Sequence, residues 1–129
     1  MNALILYAMI FCHLYADYNM QGILAQLKQR EWWRQNAPTQ LYNSDYIMAL
    51  IEHSFMWSFI TTLPLTAYYL FTNPEKLTIM PLIWIINTII HTYVDDLKAN
   101  AHTINLLTDQ ICHLIQIILT WILYISVNT

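Results

Sequence analysis

Four stretches of the chain are free of Asp, Glu, Lys and Arg, and each is rich in large apolar residues. They are residues 1–16, 54–74, 77–94 and 114–129. A helix that crosses a bilayer needs about 20 mostly apolar residues, because each residue adds about 1.5 Å across a hydrocarbon layer about 30 Å thick. The pattern therefore predicts four transmembrane helices within a single domain, residues 1–129. Their predicted limits are about 2–20, 46–71, 77–98 and 103–127.

Proline and turn residues mark the ends of the predicted helices. Asn73-Pro74 ends the second span, since the residue before a proline avoids the helical conformation. Pro64 inside that span predicts a kink, which neighbouring helices tolerate. Asn100 and Thr103 predict a turn and a helix cap between the third and fourth spans.

Residues 21–45 differ from the rest of the chain. They hold three of its five basic residues, together with apolar side chains and the pair Trp32-Trp33. This mixture is typical of a helix in the membrane interface, with its cations toward the lipid phosphates. The predicted fold class is therefore an all-α, integral membrane four-helix bundle with an interfacial helix between helices one and two. The excess of basic residues predicts that the 21–45 loop is cytoplasmic and that both termini lie outside.

Composition agrees with a membrane protein. Residues of the AVILMFWYC set make up 57% of the chain and charged residues 10%, where about 25% charged is usual for soluble domains. The single glycine argues against a turn-rich β fold, and a net charge of −3 excludes nucleic acid as a partner. The first span lacks the basic region and cleavage site of a signal peptide, so we interpret it as a helix of the mature protein. Mean hydropathy is only modestly positive, which indicates polar groups hidden inside.

Ionisable and amide residues recur within the apolar spans at helical spacing. Residues three or four apart share one face of a helix, so each set forms a stripe. The stripes comprise His13, Asp17 and Gln21 on the first helix, Glu52 and His53 on the second, His91, Asp95, Asp96 and Lys98 on the third, and Asp109, Gln110 and His113 on the fourth.

In an up-and-down bundle these stripes lie at one end, toward the face that carries the 21–45 loop. A single intramembrane histidine is usually hydrogen-bonded to a neighbour and does nothing else. A His–Asp pair can also join two helices, for about 0.6 to 2 kcal/mol. Each ionisable group in hydrocarbon, however, costs about 2.5 to 3.5 kcal/mol. The free energy needed to bury seven such groups at one level exceeds the stabilisation that helix joining would contribute, so we expect a functional site.

Imidazoles and carboxylates at this spacing are a ligand set for a divalent transition metal. The candidate ligands exceed the four of one tetrahedral zinc ion, so either two ions bind or some carboxylates orient the imidazoles. Zinc is favoured, with Mn or Fe as alternatives, at one or two ions per chain. A proton relay or a purely structural network is the competing interpretation. The predicted metal ligands are His13, Asp17, His53, His91, Asp95, Asp109 and His113.

At these residues the sequence resembles a known family. The elements are His13-x-x-x-Asp17-x-x-x-Gln21, His53, His91-x-x-x-Asp95-x-x-Lys98 and Asp109-Gln110-x-x-His113. They resemble small membrane proteins of bacteria and bacteriophages catalogued as a domain of unknown function, over nearly the whole chain. The resemblance implies a bacterial inner-membrane protein, with a phage-encoded origin as an alternative. More distantly, the pattern is similar to inner-membrane metal-dependent hydrolases. Tyr18 stands where the small membrane protein family of unknown function tends to have Phe, which is a mild departure.

The function predicted from these residues is metal-dependent hydrolysis of a phosphate ester or lipid-like substrate near the cytoplasmic face. A carboxylate not bound to metal would act as general base. Lys98 would bind a substrate phosphate as a point charge or, alternatively, snorkel to the interface. Gln21 and Gln110 would orient ligands or substrate. The residues predicted to be catalytic are Asp17, Asp95, Asp109 and Lys98.

Two other classes of function compete. One is a non-catalytic membrane protein whose metal or polar cluster is structural, and which acts by binding another membrane protein or a second copy of itself. The other is an ion or proton carrier, but transport predicts polar residues along the full depth of the helices. The lipid bilayer is the expected partner throughout. Cys12 and Cys112, both in predicted spans, make no disulfide framework, and His102 is expected in an exposed turn.

Overall fold

The computed structural model describes residues 2–128, with side chains through residue 126. Within these residues the chain is helical throughout, with seven α-helices and two 3₁₀ segments and without a strand. The α-helices are α1 (Asn2–Asn19), α2 (Leu24–Leu27), α3 (Arg30–Asn36), α4 (Asp45–Thr61), α5 (Leu63–Thr72), α6 (Met80–Ala99) and α7 (Leu106–Asn128). The 3₁₀ segments are Gln40–Tyr42 and Pro74–Ile79.

The long helices follow the predicted spans, and the second is interrupted at Thr62. Pro64 falls in the first turn of α5, where its missing N–H costs nothing, and the preceding helix ends just before it. The Thr62 N–H bonds to the Ser58 carbonyl and the Thr66 N–H to the Thr62 carbonyl, so helical hydrogen bonds lead into and out of Thr62. The structure shows a boundary between two helices at the residues before Pro64, and the kink itself stays a prediction.

Four helical rods pack side by side in a closed ring. The α4 helix contacts α1 and α6, while α7 contacts the same two helices from the other side, and α5 extends α4 along α1. At one end, the Trp121 indole near the end of α7 bonds to the carbonyl of Asn2 at the start of α1. At the other end, His13 near the end of α1 meets Trp57 of α4, and His53 of α4 meets His91 near the end of α6. These contacts agree with helices that run alternately up and down.

A cluster of tyrosines and aliphatic side chains forms the core of the half of the bundle near the chain ends. The Tyr69 and Tyr124 rings lie 5.5 Å apart, and Tyr68 meets Tyr124 edge-on. Buried polar side chains continue below the His and Asp residues, where Gln116 Nε2 and Thr120 Oγ1 both donate to Asn87 Oδ1. The apolar core extends from the chain ends up to Trp57, and its buried residues are Ile5, Met9, Ala16, Trp57, Leu65, Tyr69, Met80, Ile83, Ile117 and Tyr124.

The outer surface of the bundle is apolar. Large hydrophobic side chains are exposed along all four rods, for example Phe11 at 68%, Phe55 at 50% and Ile89 at 63%. Two helical stretches are long and apolar enough to cross a membrane, and only 28% of the residues in the apolar part of each are buried. They are Pro74–Ala99, which joins the second 3₁₀ segment to α6, and Leu106–Ser126 in α7. The core helix of a soluble protein would be mostly buried, so these two helices turn most of their surface outward.

The 21–45 segment departs from the single interfacial helix that its composition predicts. It breaks into α2, α3 and a 3₁₀ turn, because Gly22 takes a positive φ of 51° and Gln29 is extended between α2 and α3. The expectation that its cations point toward lipid phosphates is wrong for Lys28, which is only 5% exposed and points into the bundle. The segment folds back over the bundle end, where Asn100 Nδ2 donates to the Lys28 carbonyl.

The connection between α6 and α7 is a short turn. Asn100 caps the end of α6, and His102 is exposed with a positive φ of 54°, as expected for a turn residue. The helix that follows begins at Leu106 and not at 103, because the Asn105 side chain accepts the N–H of Thr108 and provides the cap.

Candidate metal centre

All seven predicted ligands come together in one half of the bundle, and every one of them is buried. Asp17 is the most exposed, at 8%, while His13, His91, Asp109 and His113 are at 0%. The stripes converge because α1 and α6 approach this level at their carboxyl ends, whereas α4 and α7 approach it at their amino ends. Two groups of three side chains within this cluster could hold a metal ion.

The first group consists of Asp17, His53 and His91. The two imidazoles face each other with their Nε2 atoms 3.3 Å apart. Asp17 Oδ1 lies 3.7 Å from His53 Nε2 and 4.0 Å from His91 Nε2. Three helices, α1, α4 and α6, thus each direct one donor atom at a common point.

Asp95 lies beside this group and could supply a fourth ligand. Its Oδ2 is 3.4 Å from His53 Nε2, and its Oδ1 is 3.8 Å from His91 Nε2. Ligands bound tetrahedrally at about 2.1 Å are separated from one another by about 3.4 Å. The three donors of the first group lie 3.3 to 4.0 Å apart, close to that value, and Asp95 approaches each imidazole with a different oxygen.

The second group consists of His91, Asp95 and His113. His113 Nε2 lies 3.4 Å from Asp95 Oδ1 and 3.3 Å from Asp109 Oδ1. The rings of His91 and His113 stack with centroids 4.1 Å apart. Asp109 therefore extends the second group toward α7, and a second ion would share His91 and Asp95 with the first.

Several donor atoms in the cluster are buried without a hydrogen-bond partner. They include Asp17 Oδ1, His91 Nδ1 and His113 Nδ1, whereas Asp109 Oδ1 and His113 Nε2 face each other. An unpaired buried polar atom costs about 1 to 3 kcal/mol. An ion bound at the Nε2 atoms would satisfy Asp17 Oδ1, so this carboxylate oxygen fits a metal. The two Nδ1 atoms lie on another edge of their rings and would not contact that ion.

His13 belongs to neither group. The Trp57 indole donates to its Nδ1 at 2.9 Å, and its Nε2 lies 3.2 Å from Gln110 Oε1. With Nδ1 as an acceptor, Nε2 carries the proton and donates to the glutamine. Both ring nitrogens are thus engaged by the protein, and the structure places His13 beside the ligands.

The two glutamines take different places. Gln110 Nε2 donates to Asp17 Oδ2 and to Asp109 Oδ2, both at 3.1 Å, so it holds two of the carboxylates, as expected. Gln21 instead bonds to the Asp17 backbone carbonyl, which fixes the end of α1 and leaves the carboxylate alone. Of the other polar neighbours, Glu52 is exposed, and Asp96 accepts from Asn100 at 2.7 Å.

Two lysines reach the carboxylates from the end of the bundle that the 21–45 segment covers. Lys98 Nζ lies 2.5 Å from Asp109 Oδ2 and 4.0 Å from Asp95 Oδ1. Lys28 Nζ lies 2.6 Å from Asp95 Oδ2. The cluster therefore holds three carboxylates against two ammonium groups. One negative charge is left to attract a cation when the imidazoles are neutral.

Sequence reasoning missed Trp57 and Lys28. Trp57 stands four residues after His53, hence on the same helical face, and this spacing is a signal that could have found it. Its ring stacks on His91 with centroids 4.1 Å apart. Lys28 gives no such signal, because its position depends on how the 21–45 segment folds back.

A cavity of about 320 Å³ opens above the two lysines. Lys28 and Lys98 both line this cavity, and their ammonium groups bind Asp95 and Asp109. The cavity therefore lies next to the charged cluster. Its lining is Gln21, Ala25, Lys28, Gln29, Lys98, Ala99 and His102.

Comparison with known proteins gives no match to a family model, to a curated protein or to a solved structure. The family resemblance drawn from the motifs therefore stays a prediction.

Proposed function

We propose that this protein is a membrane-embedded metal protein that hydrolyses a phosphate ester at the end of the bundle covered by the 21–45 segment. The observation that carries the proposal is the convergence of Asp17 Oδ1, His53 Nε2 and His91 Nε2, with Asp95 beside them, at separations close to those of ligands on one ion.

The distribution of polarity supports four spans in the bilayer. The rods expose large apolar side chains and bury polar ones, which is the reverse of a soluble bundle. Lipid is the medium in which such an outer surface is stable. The α1 helix and the α4–α5 pair would cross beside α6 and α7, with the basic loop on the cytoplasmic side of a bacterial inner membrane.

The donor set favours a borderline divalent ion. Imidazole nitrogen suits zinc and iron, and carboxylate oxygen also suits manganese. Both cysteines are only half-buried and stand outside the two ligand groups. Zinc fits a four-donor site of two imidazoles and two carboxylates best.

The remaining residues fit hydrolysis. A bound divalent ion activates water for attack on a phosphorus centre. Asp109, still held by Gln110 once Lys98 has turned to the phosphate, would accept the proton from this water and pass it to the leaving alkoxide. The phosphate would enter through the cavity above the cluster, where Lys28 and Lys98 would turn from the carboxylates to its oxygens. An ester of an amphiphilic alcohol suits a site at this depth.

Metal analysis of the full chain, purified in detergent, tests the proposal. We expect one or two zinc, manganese or iron ions per chain. His53→Ala and His91→Ala should each lose metal, whereas His102→Ala, an exposed histidine, is the matched control and should retain it. A wild-type chain that is folded, is supplied with each metal and binds none contradicts the proposal.

One observation favours a second function. Lys28 and Lys98 already neutralise Asp95 and Asp109, so the cluster can exist as a structural polar network. The chain would then act by binding another membrane protein. Failure of the metal-loaded protein to cleave any ester in a panel of phosphomonoesters, phosphodiesters and lipid phosphates would favour this alternative.

A further inference from the structure

A second cluster of cations lies outside the metal centre, where α3 meets the start of α4. Arg30 and Arg34 line a polar cavity of about 290 Å³ together with Asn43, Ser44 and Tyr46. The charged residues of this lining are both arginines. Two guanidinium groups beside amide and hydroxyl groups match the oxygens of a phosphate, which arginine can bind in a bidentate manner.

Arg30 is held in place by the fold. Its guanidinium donates to the Tyr46 hydroxyl and lies over the Tyr46 ring, 4.6 Å from the centroid. Its backbone N–H donates to Asn100 Oδ1 at 2.6 Å. Arg34 approaches Glu31 at 3.8 Å, but both side chains are about 60% exposed, so this pair is weak and leaves Arg34 available for an anion.

An apolar groove of about 490 Å³ begins where the polar cavity ends. Tyr46 lines both, so the two spaces adjoin. The groove follows α4 and α6 from Tyr46 and Asp96 down to Ile51 and Thr88. Eight residues along α6 correspond to about 12 Å of depth. Isoleucine side chains line its lower part, and Ile89 is 63% exposed there.

We infer that the arginine cavity and this groove together form a binding site for one anionic phospholipid. The phosphate would lie between Arg30 and Arg34, and one acyl chain would lie in the groove between α4 and α6. Charge complementarity selects a phosphate headgroup, and the adjoining apolar groove selects a lipid over a free phosphate. The site rests on the proposed placement in a membrane and is separate from the metal centre.

Native mass spectrometry of the full chain in detergent tests the site. The probes are palmitoyl-oleoyl phosphatidylglycerol, the diacylglycerol with the same chains, and glycerol 3-phosphate. We expect one phosphatidylglycerol per chain, with at least tenfold weaker binding to Arg30→Gln/Arg34→Gln. Lys76→Gln, at the other end of the bundle, is the matched charge control and should bind as wild type does. Ile89→Trp should fill the groove and weaken phosphatidylglycerol binding as well.

Equal binding by wild type and the double arginine variant overturns the lipid site, and so does an equal loss in Lys76→Gln. Binding of glycerol 3-phosphate as tight as that of phosphatidylglycerol shows an anion site without a lipid and also overturns it. Metal content should be unchanged in Arg30→Gln/Arg34→Gln. Carbonate extraction of wild-type membranes tests the membrane placement separately. A chain released by carbonate contradicts both the membrane placement and the lipid site, whereas a retained chain that fails to bind phosphatidylglycerol contradicts the lipid site alone.

Discussion

Lys28 and Asp95 are 67 residues apart in the sequence, yet the lysine ammonium lies 2.6 Å from the aspartate Oδ2. Their side chains are 6% and 2% exposed. The 21–45 segment therefore inserts a positive charge among the buried His and Asp side chains. There the charge lies against a carboxylate that could bind metal.

Replacing Lys28 with Met should destabilise the metal-free protein and strengthen metal binding. Removing one partner of a buried ion pair costs about 3 to 5 kcal/mol, because it leaves the other charge uncompensated. A divalent ion would supply that compensation. We expect a lower melting temperature without metal and a larger rise on adding zinc than in wild type, measured by thermal unfolding in detergent. An equal zinc-induced rise in both proteins contradicts the role of Lys28 as a competing cation.

His13 and His91 should differ in their effect on metal content. His91 lies in both ligand groups, whereas both nitrogens of His13 are engaged by Trp57 and Gln110. His91→Ala should abolish binding. His13→Ala should retain the stoichiometry with about 10 to 100-fold lower affinity, the usual effect of losing a residue that orients ligands. Complete loss of metal in His13→Ala would make that histidine a ligand.

Trp57→Phe should lower stability through the lost indole N–H. His13 Nδ1 would keep its burial but lose its donor, a change worth about 1 to 3 kcal/mol. Trp84→Phe is the matched control, because the Trp84 indole donates to Thr62 Oγ1 at a part-buried site away from the cluster. Denaturant unfolding should show a larger loss for Trp57→Phe. A loss confined to Trp84→Phe contradicts the bond to His13.

The arrangement of the connections across the membrane can be tested with single cysteines. Glu31→Cys and His102→Cys should react with an impermeant thiol reagent from the same side, and Glu75→Cys from the other, in a background with Cys12 and Cys112 replaced by Ser. Glu31 and His102 belong to the end that carries the basic segment. Labelling of all three positions from one side contradicts four spans.

Much of the architecture could be predicted from the sequence, because it depends on local pattern. The charge-free stretches predicted the long helices, and the i, i+4 spacing of His91 and Asp95 predicted the buried stripe on α6. Pro64 predicted the interruption of the second rod. Each of these signals lies within one helix and its immediate neighbours.

Contacts across the bundle could not be predicted in the same way. The position of Lys28 depends on the positive φ at Gly22 and on the bond from Asn100 to the Lys28 carbonyl. The exclusion of His13 from the ligand groups depends on Trp57, 44 residues away. Composition predicted a helix with its cations toward the lipid headgroups for 21–45. This was wrong for Lys28, because composition cannot show where a short segment folds back on the bundle.

The most direct measurement is a crystal structure of the zinc-loaded protein with anomalous data at the zinc edge. We expect a peak bound by Asp17 Oδ1, His53 Nε2 and His91 Nε2 at about 2.0 to 2.2 Å, with Asp95 as the fourth ligand. Peaks only at surface residues such as His102, with the buried cluster unchanged and its lysines still on the carboxylates, would contradict a metal centre in this bundle.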